Sequence, residues 1–152
     1  MSDHSELCDA LIDDLQGNVA GLRDAIVHRY GPWDPEEFRA AAGERHLAVW
    51  PAPEVETIEA RYIGGHTLKQ VYAIAYWEWA SDEATRAVLD EDAAKALLDL
   101  QNAIRARLYA LENANLTGVD RLWYRRTQLP ARSSSTRWLV LVVDVDREIQ
   151  FT

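Results

Sequence analysis

Hydrophobic and polar residues alternate between residues 54 and 80, and this pattern predicts two β-strands, Val55–Ile63 and Thr67–Trp79. Gly64-Gly65 joins them, and a glycine pair at this place is typical of a tight hairpin, because both central residues of a type I′ turn need a positive φ. Side chains alternate between the two faces of the second strand. One face would carry Leu68, Gln70, Tyr72, Ile74, Tyr76 and Glu78. The other would carry Thr67, Lys69, Val71, Ala73, Ala75, Trp77 and Trp79. Neither face is plainly polar. We therefore expect a helix to cover one face, and a second element or a partner molecule to cover the other.

Apolar residues recur at steps of three and four from Leu7 to Tyr30, which predicts an N-terminal helix. Ser5 can cap its first turn, and Gly31-Pro32 ends it, because proline cannot continue a helix. Gly17 and Gly21 each weaken the middle by about 1 kcal/mol relative to alanine, so the pattern allows a break there.

Two further helices are predicted. Asp34 followed by Pro35 is a typical helix start and predicts a short helix that ends near Ala42. A much longer helix is predicted from Glu83 to Leu111. Its buried stripe would consist of Leu97, Leu100, Ile104, Leu108 and Leu111.

Three more strands complete the pattern. His46–Trp50 is closed by Pro51-Ala52-Pro53, and since proline cannot donate a ladder hydrogen bond, this strand is expected at an edge or in a crossing segment. Val119–Leu129 and Thr136–Val145 form a closing pair. Residues 138–143 are apolar on both faces, which indicates a central strand.

These elements predict a single α+β domain over residues 1–152, with a mostly antiparallel sheet of four to five strands. The N-terminal helix and the long helix would pack on one face of the sheet. The composition, 48% hydrophobic and 27% charged, is that of an ordinary globular protein, and no apolar run approaches the roughly 18–20 residues of a membrane span. The N-terminus lacks the features of a secretory signal, and the lone Cys8 fits intracellular synthesis without an internal disulfide.

The net charge of −9 is concentrated in the first 60 residues, which hold 13 acidic and 4 basic side chains. Binding of duplex DNA through a basic face is therefore disfavoured, because neutralising phosphates requires clustered lysine and arginine. Two interpretations stay open. The acidic residues form a solvated helix face, or they form a surface that repels polyanions such as DNA.

No catalytic or phosphate-binding motif is present, and we expect no catalytic residues, cofactor or metal site. The four histidines fall on separate predicted elements without ligand spacing, and each is expected to be an ordinary surface or boundary residue: His4, His28, His46 and His66. Asp144, Asp146 and Glu148 share one strand face and could together approach a cation. A solvated strand end is the favoured interpretation of these three acids.

Six tryptophans exceed what a core of this size needs, and tryptophan and arginine are favoured at interface hot spots. About half are expected in the core. Arg125-Arg126 beside Trp123 and Tyr124 could stack on bases or contact phosphates, but interstrand or intersubunit ion pairs with the acidic N-terminal region are favoured. The candidate oligomer or partner interface consists of Trp77, Trp79, Trp123, Arg125, Arg126 and Trp138.

The order of the predicted elements resembles that of the tail terminator (tail completion) proteins of long-tailed bacteriophages, which are α+β domains of this size. The matching parts are an N-terminal helix, a proline-flanked crossing segment, a hairpin, a main helix and a closing strand pair: Leu7–Tyr30, Ala48–Pro53, Val55–Trp79, Glu83–Leu111 and Val119–Val145. The resemblance covers nearly the whole chain as a pattern of elements. The short helix from Asp34 to Ala42 has no counterpart in it.

The resemblance implies a structural virion protein and not an enzyme. Such proteins form a hexameric ring on the last ring of the tail tube, stop its polymerisation and provide the docking surface for the head–tail connector. The implied partners are copies of the chain, the tail tube protein and a connector or stopper protein. Genomic DNA would pass through the lumen without specific binding, and no membrane is involved. The implied location is the neck end of the virion tail, after synthesis in the host cytoplasm.

Two other classes stay open at this point. One is a different non-catalytic phage neck or minor tail component, which the same pattern admits. The other is a small intracellular α+β enzyme or ligand-binding domain that uses the Asp144, Asp146 and Glu148 group or a pocket between helix and sheet.

Overall fold

The computed structural model describes residues 4–31, 34, 37–62, 65–79, 83–112, 121–128 and 136–150. Within these residues the chain forms two α-helices and five β-strands, with a 3-10 turn at Ala20–Leu22. In chain order they are α1 (His4–Asn18), β1 (Ile26–Arg29), β2 (Arg45–Tyr62), β3 (Gly65–Trp79), α2 (Glu83–Glu112), β4 (Arg121–Gln128) and β5 (Thr136–Gln150).

The five strands form one mixed sheet in the order β1-β2-β3-β5-β4. β1 runs parallel to β2, and the other neighbouring pairs are antiparallel. The predicted α+β class and the mostly antiparallel sheet are confirmed. β3 and β5 lie inside the sheet and pair along their whole length, from Gly65 opposite Gln150 to Trp79 opposite Thr136. This explains why both strands are apolar on two sides.

Both helices pack on one face of the sheet, as predicted. Alternate residues of the strands, such as Leu47, Ile74 and Leu141, form a single core with Leu11 of α1 and Ile104 of α2. All five side chains are completely buried. Each contributes about 1.5–3 kcal/mol relative to an exposed position, so this core supplies much of the stability of the fold.

The opposite face of β3 has a smaller core, in which Trp77 and two alanines of β3 contact residues of β2 and β5. Phe38 and Ala40 cover it from a segment that precedes β2. We call residues 37–44 the covering segment. The prediction that both faces of β3 are covered is confirmed, and part of the second cover comes from the chain itself.

The predicted N-terminal helix is wrong in its second half. α1 ends at Asn18, the 3-10 turn follows, and Ile26–Arg29 pairs with β2 as strand β1. The side-chain amide of Gln16 donates to the carbonyl oxygens of Leu22 and Ala25, at 3.2 and 3.3 Å, and so satisfies backbone groups where the chain leaves the helix.

The predicted helix from Asp34 to Ala42 is also wrong within the described residues. Residues 38–41 have no regular structure, and Ala42 and Gly43 form a turn in which Gly43 has a φ of +80°. Exposed and buried side chains alternate from residue 37 to residue 40, with Phe38 and Ala40 buried. This alternation is the period of an extended chain lying on a surface, and contact with the sheet therefore overrides the local helix signal.

Strand β2 runs through the prolines that were expected to end it. β1 pairs only with residues 46–49, so Pro51 lies beyond the last residue that needs a partner on that side. The pairing of β2 with β3 is irregular between Pro51 and Glu56, which accommodates the missing donors. At the hairpin end, Tyr62 pairs with Gly65, so Gly65 belongs to β3 and not to the connection.

The long helix is confirmed, with Leu97, Ile104, Leu108 and Leu111 buried and Leu100 partly buried against the main core. β5 is longer than predicted and ends at Gln150, so the three acids of its second half lie inside a paired strand. The backbones of Asp144, Asp146 and Glu148 are opposite Val71, Lys69 and Thr67 of β3. Their side chains, and with them the cation hypothesis, lie outside the described part of the chain.

Candidate functional site

The six residues of the predicted interface lie on three adjacent strands, β3, β5 and β4, but in two places. Trp77 is opposite Trp138, and the next residue but one, Trp79, lies at the same end of the sheet. Trp123 is opposite Asp144, which in turn pairs with Val71. Val71 and Trp77 are six residue steps apart on β3, so the two places are about 20 Å apart.

The predicted interface residues on β4 lie beside an irregularity in the pairing of β4 with β5. Tyr124 pairs with Val143 and Arg126 with Val142, so Arg125 lies in a bulge on β4. Bulges re-aim side chains and are frequent on edge strands. The side chains of Trp123, Arg125, Arg126 and Trp138 lie outside the described residues, and their place in an interface stays a prediction.

The indole of Trp77 is buried by contacts within the same chain. It is 2% exposed. Its ring stacks on Phe38 and on His46, with centroid distances of 4.9 Å in both cases, and its Nε1–H donates to the carbonyl oxygen of Arg39 at 3.0 Å. Trp79 is partly buried and packs against the edge of the same small core. Of these two tryptophans, Trp79 is therefore the one with surface to offer a partner.

A chain of hydrogen bonds that the sequence did not predict lies beside Trp77. His28 Nε2 is 2.8 Å from His46 Nδ1, and His46 Nε2 is 3.0 Å from Glu44 Oε2. The backbone N–H of Ala41 donates to the same carboxylate oxygen at 2.9 Å. We call Glu44, His46 and His28 the histidine relay. It connects β1, β2 and the covering segment.

The direction of the hydrogen bonds follows from the carboxylate. The Ala41 N–H, and then the hydrogen bond with His46, lower the pKa of Glu44, so it is ionised and can only accept. His46 Nε2 must then donate, and in the neutral ring Nδ1 is an acceptor for His28 Nε2–H. Burial, and next the proximity of His46, lower the pKa of His28. The hydrogen bonds of the neutral relay thus define the tautomer of each ring.

The relay suits proton binding and not metal binding. A metal between two imidazoles needs about 2.0–2.1 Å to each nitrogen, whereas the facing nitrogens here are only 2.8 Å apart. Among the residues that the structure describes, no group of three or more histidine, cysteine or acidic side chains could hold a metal ion.

Sequence reasoning missed the relay because it placed His28 on a helix. The available signal was the β-branched pair Ile26-Val27 after two glycines in the predicted helix. Once residues 26–29 form a strand parallel to β2, His28 and His46 lie two register positions apart on the same sheet face.

Part of the acidic N-terminal region is used inside the fold. Asp14 of α1 accepts two hydrogen bonds from the guanidinium of Arg107 on α2, at 2.6 and 2.8 Å. Asp9 pairs with Arg29 at the end of β1. Glu6 and Asp13 remain exposed on α1. The acidic surface is therefore smaller than the charge count suggests.

Large apolar side chains are exposed in two places among the described residues. Ile26, the first residue of β1, is 45% exposed, and Tyr30, which follows the strand, is 42% exposed. Leu98 and Tyr109 lie on the outer side of α2. Tyr30 also has a φ of +69°, and its N–H donates to the carbonyl oxygen of Val49 at 3.1 Å. A positive φ is uncommon for a residue with a large side chain, so the backbone at this end of β1 is strained. None of the described helices is sufficiently long and apolar to cross a membrane.

No protein-family model matches the chain, and neither does any curated protein. Among solved structures, it is similar to a chain from the virion of a native gene transfer agent particle. The similarity has a TM-score of 0.54 at 20% sequence identity, and it covers 97% of this chain and 100% of the other. At this identity the likeness shows a shared fold.

Proposed function

We propose that the chain is a structural protein of a phage-like virion, and that within the particle it acts as a tail terminator. The observation that carries this proposal is the likeness to a chain of a gene transfer agent virion, which includes nearly all of both chains. Agreement over the whole length supports a shared role more strongly than agreement over one motif would.

The physical features of the chain support an assembly role and not catalysis. The histidine relay, which is the described cluster of titratable groups most like a catalytic one, is packed against Trp77 and the covering segment. Exposed apolar side chains lie instead on an outer helix face and at β1, which is one edge of the described sheet. Exposed strand edges and apolar patches are features that assembling subunits use.

In the proposed role, six copies form a ring on the end of the tail tube, stop its growth and offer a docking surface to a connector or stopper protein. Trp79, together with the predicted set on β4 and β5, would lie at contacts between subunits or with these partners. The exposed acids of α1 would help DNA to pass through the lumen without adhering. The protein would be located in the virion and would bind neither a cofactor nor a membrane.

Native mass spectrometry and electron microscopy of the purified full chain test this proposal. We expect a species of six subunits and, in class averages, rings with sixfold symmetry and an open centre. A chain that stays monomeric at all concentrations and shows no ring would contradict the tail terminator role. Closed rings of a different symmetry would favour the second candidate, another non-catalytic neck or minor tail component, which the same virion likeness supports.

A further inference from the structure

The histidine relay lies at the base of the covering segment. Glu44 accepts the N–H of Ala41 at 2.9 Å, and its own backbone N–H donates to the carbonyl oxygen of Ala41 at 3.0 Å. The carbonyl oxygen of Glu44 accepts the N–H of Trp79 at 3.1 Å. One residue therefore connects the covering segment to the histidine pair and to β3.

The relay can hold one proton without losing a hydrogen bond, but not two. With one proton, a charged His46 donates to Glu44 from Nε2 and to His28 from Nδ1. With two protons, His28 Nε2–H and His46 Nδ1–H point at each other across 2.8 Å. That state loses the hydrogen bond and places two positive charges in contact within a partly buried cluster.

Other charged groups nearby do not compensate this repulsion. Arg45 and Glu78 are opposite each other on β2 and β3, and they act on Tyr76, on the other sheet face. On β1, Arg29 pairs with Asp9 of α1. The side chains of Glu37 and Arg39 in the covering segment are exposed. In the described part of the chain, Glu44 is thus the one ionised group bonded to the histidine pair.

We propose that Glu44, His46 and His28 form an acid-sensitive latch that keeps the covering segment closed with no proton or one proton bound, and opens it when the second proton binds. Opening moves Phe38 off Trp77 and breaks the bond from Trp77 Nε1–H to Arg39. The small core around Ala48, Ala75 and Trp77 then becomes accessible. This inference does not depend on the proposed virion role.

The direction of the pH dependence follows from the lowered pKa of His28. Its folded pKa lies below the ordinary value of 6.5, so the unfolded or open chain binds the second proton first. The stabilisation by the latch is therefore complete above pH 6.5 and is lost as the pH falls below that value. Glu44 acts in the same direction at lower pH, since its pKa lies below 4.5.

Hydrogen exchange of the backbone amides tests the latch. In the full chain, protection of residues 37–44, corrected for intrinsic rates, should fall at least tenfold between pH 7.5 and 5.0. His28→Gln keeps a donor to His46 but cannot take up the second proton, so its protection should change less than threefold. His66→Gln, at the far end of the hairpin opposite Arg61, should behave like the unmodified chain.

Nitrogen NMR of the imidazole rings gives a second readout that does not depend on a variant. At pH 7.5, both His28 and His46 should carry a proton on Nε2 when neutral. The proposal is overturned if His46 is the Nδ1–H tautomer, or if both rings become charged while residues 37–44 keep their protection. It is equally overturned if His28→Gln and the unmodified chain lose protection in parallel.

Discussion

At the scale of single residues, the described charged side chains differ sharply in how much they stabilise the fold. Asp14 is largely buried, with 15% of its side chain exposed, and it binds Arg107 through two oxygens. Asp13 is its chain neighbour but is 74% exposed and only 3.9 Å from Arg29. A two-pronged arginine–carboxylate pair with restricted solvent holds a fixed geometry, whereas an exposed contact near 4 Å contributes little.

We therefore expect Asp14→Ala to lower the free energy of unfolding by about 1–3 kcal/mol, because it leaves a partly buried arginine without its acceptor. The matched variant Asp13→Ala should change it by less than about 0.5 kcal/mol. Urea unfolding at neutral pH measures both. Equal effects of the two variants would show that the Asp14–Arg107 pair does not join α1 to α2 energetically.

The burial of Trp77 is a feature of the site that the sequence pattern does not predict. Trp77 and Trp79 were predicted as a pair on one strand face, and this placement is right. Nothing in their spacing indicates that Phe38 and two imidazoles would bury one of them, because those contacts come from elements 30 to 50 residues away. Exposure of an individual tryptophan is a property of the packed fold and not of its local pattern.

At the scale of elements, long and regular patterns were predictable and short ones were not. β3 and α2 extend over 15 and 30 residues, so their periods are unambiguous. β1 has four residues, and Leu22, Ile26 and Tyr30 continue the spacing of a helix by coincidence. The strand exists because β2 offers it an edge to pair with, and the β-branched pair Ile26-Val27 is too short a local signal to outweigh the helical spacing.

The break between α1 and β1 gives a prediction about its two glycines. A Cβ added at Gly17, inside α1, would meet nothing within 4 Å, so Gly17→Ala should raise the free energy of unfolding by up to about 1 kcal/mol. A Cβ at Gly21 would lie 3.0 Å from Cδ1 of Leu100 on α2. Gly21→Ala should therefore be neutral or destabilising, because the leucine must move.

Thermal or urea unfolding of the two glycine variants distinguishes conformational entropy from packing. If Leu100 is the cause, the double variant Gly21→Ala with Leu100→Ala should show less than the sum of the two single losses. A gain from Gly21→Ala as large as that from Gly17→Ala would mean that the turn and α2 are not in close contact.

At the scale of the whole molecule, the sheet is less exposed than the sequence suggested. The expectation of two apolar faces was right, but the covering segment of the same chain shields part of the second face. The apolar character of the sheet faces alone therefore does not require a partner molecule. The exposed apolar residues at β1 and on α2, the partly buried Trp79 and the likeness to a virion chain are what support the proposed assembly role.

Because Trp77 is buried within the chain and Trp79 is partly exposed, we expect their variants to affect folding and assembly differently. Trp77→Phe removes the hydrogen bond to Arg39 but keeps a stacked ring, so it should lower the melting temperature and leave the proposed assembly into rings unchanged at temperatures where the chain is folded. Trp79→Ala should reduce the proposed assembly and change the melting temperature little, since truncating a partly exposed indole at the proposed subunit contact costs more in association than in folding. Asp13→Ala, at a 74% exposed position of α1, serves as a surface control.

Native mass spectrometry at matched protein concentrations, with melting temperatures measured in parallel, resolves these effects. We expect the association constant of Trp79→Ala to fall at least tenfold, which corresponds to about 1.4 kcal/mol of association free energy. Assembly of Trp79→Ala at the level of the unmodified chain would place this residue in the small core beside Trp77. Any subunit contact would then have to be sought at the β1 edge, on α2 or on β4.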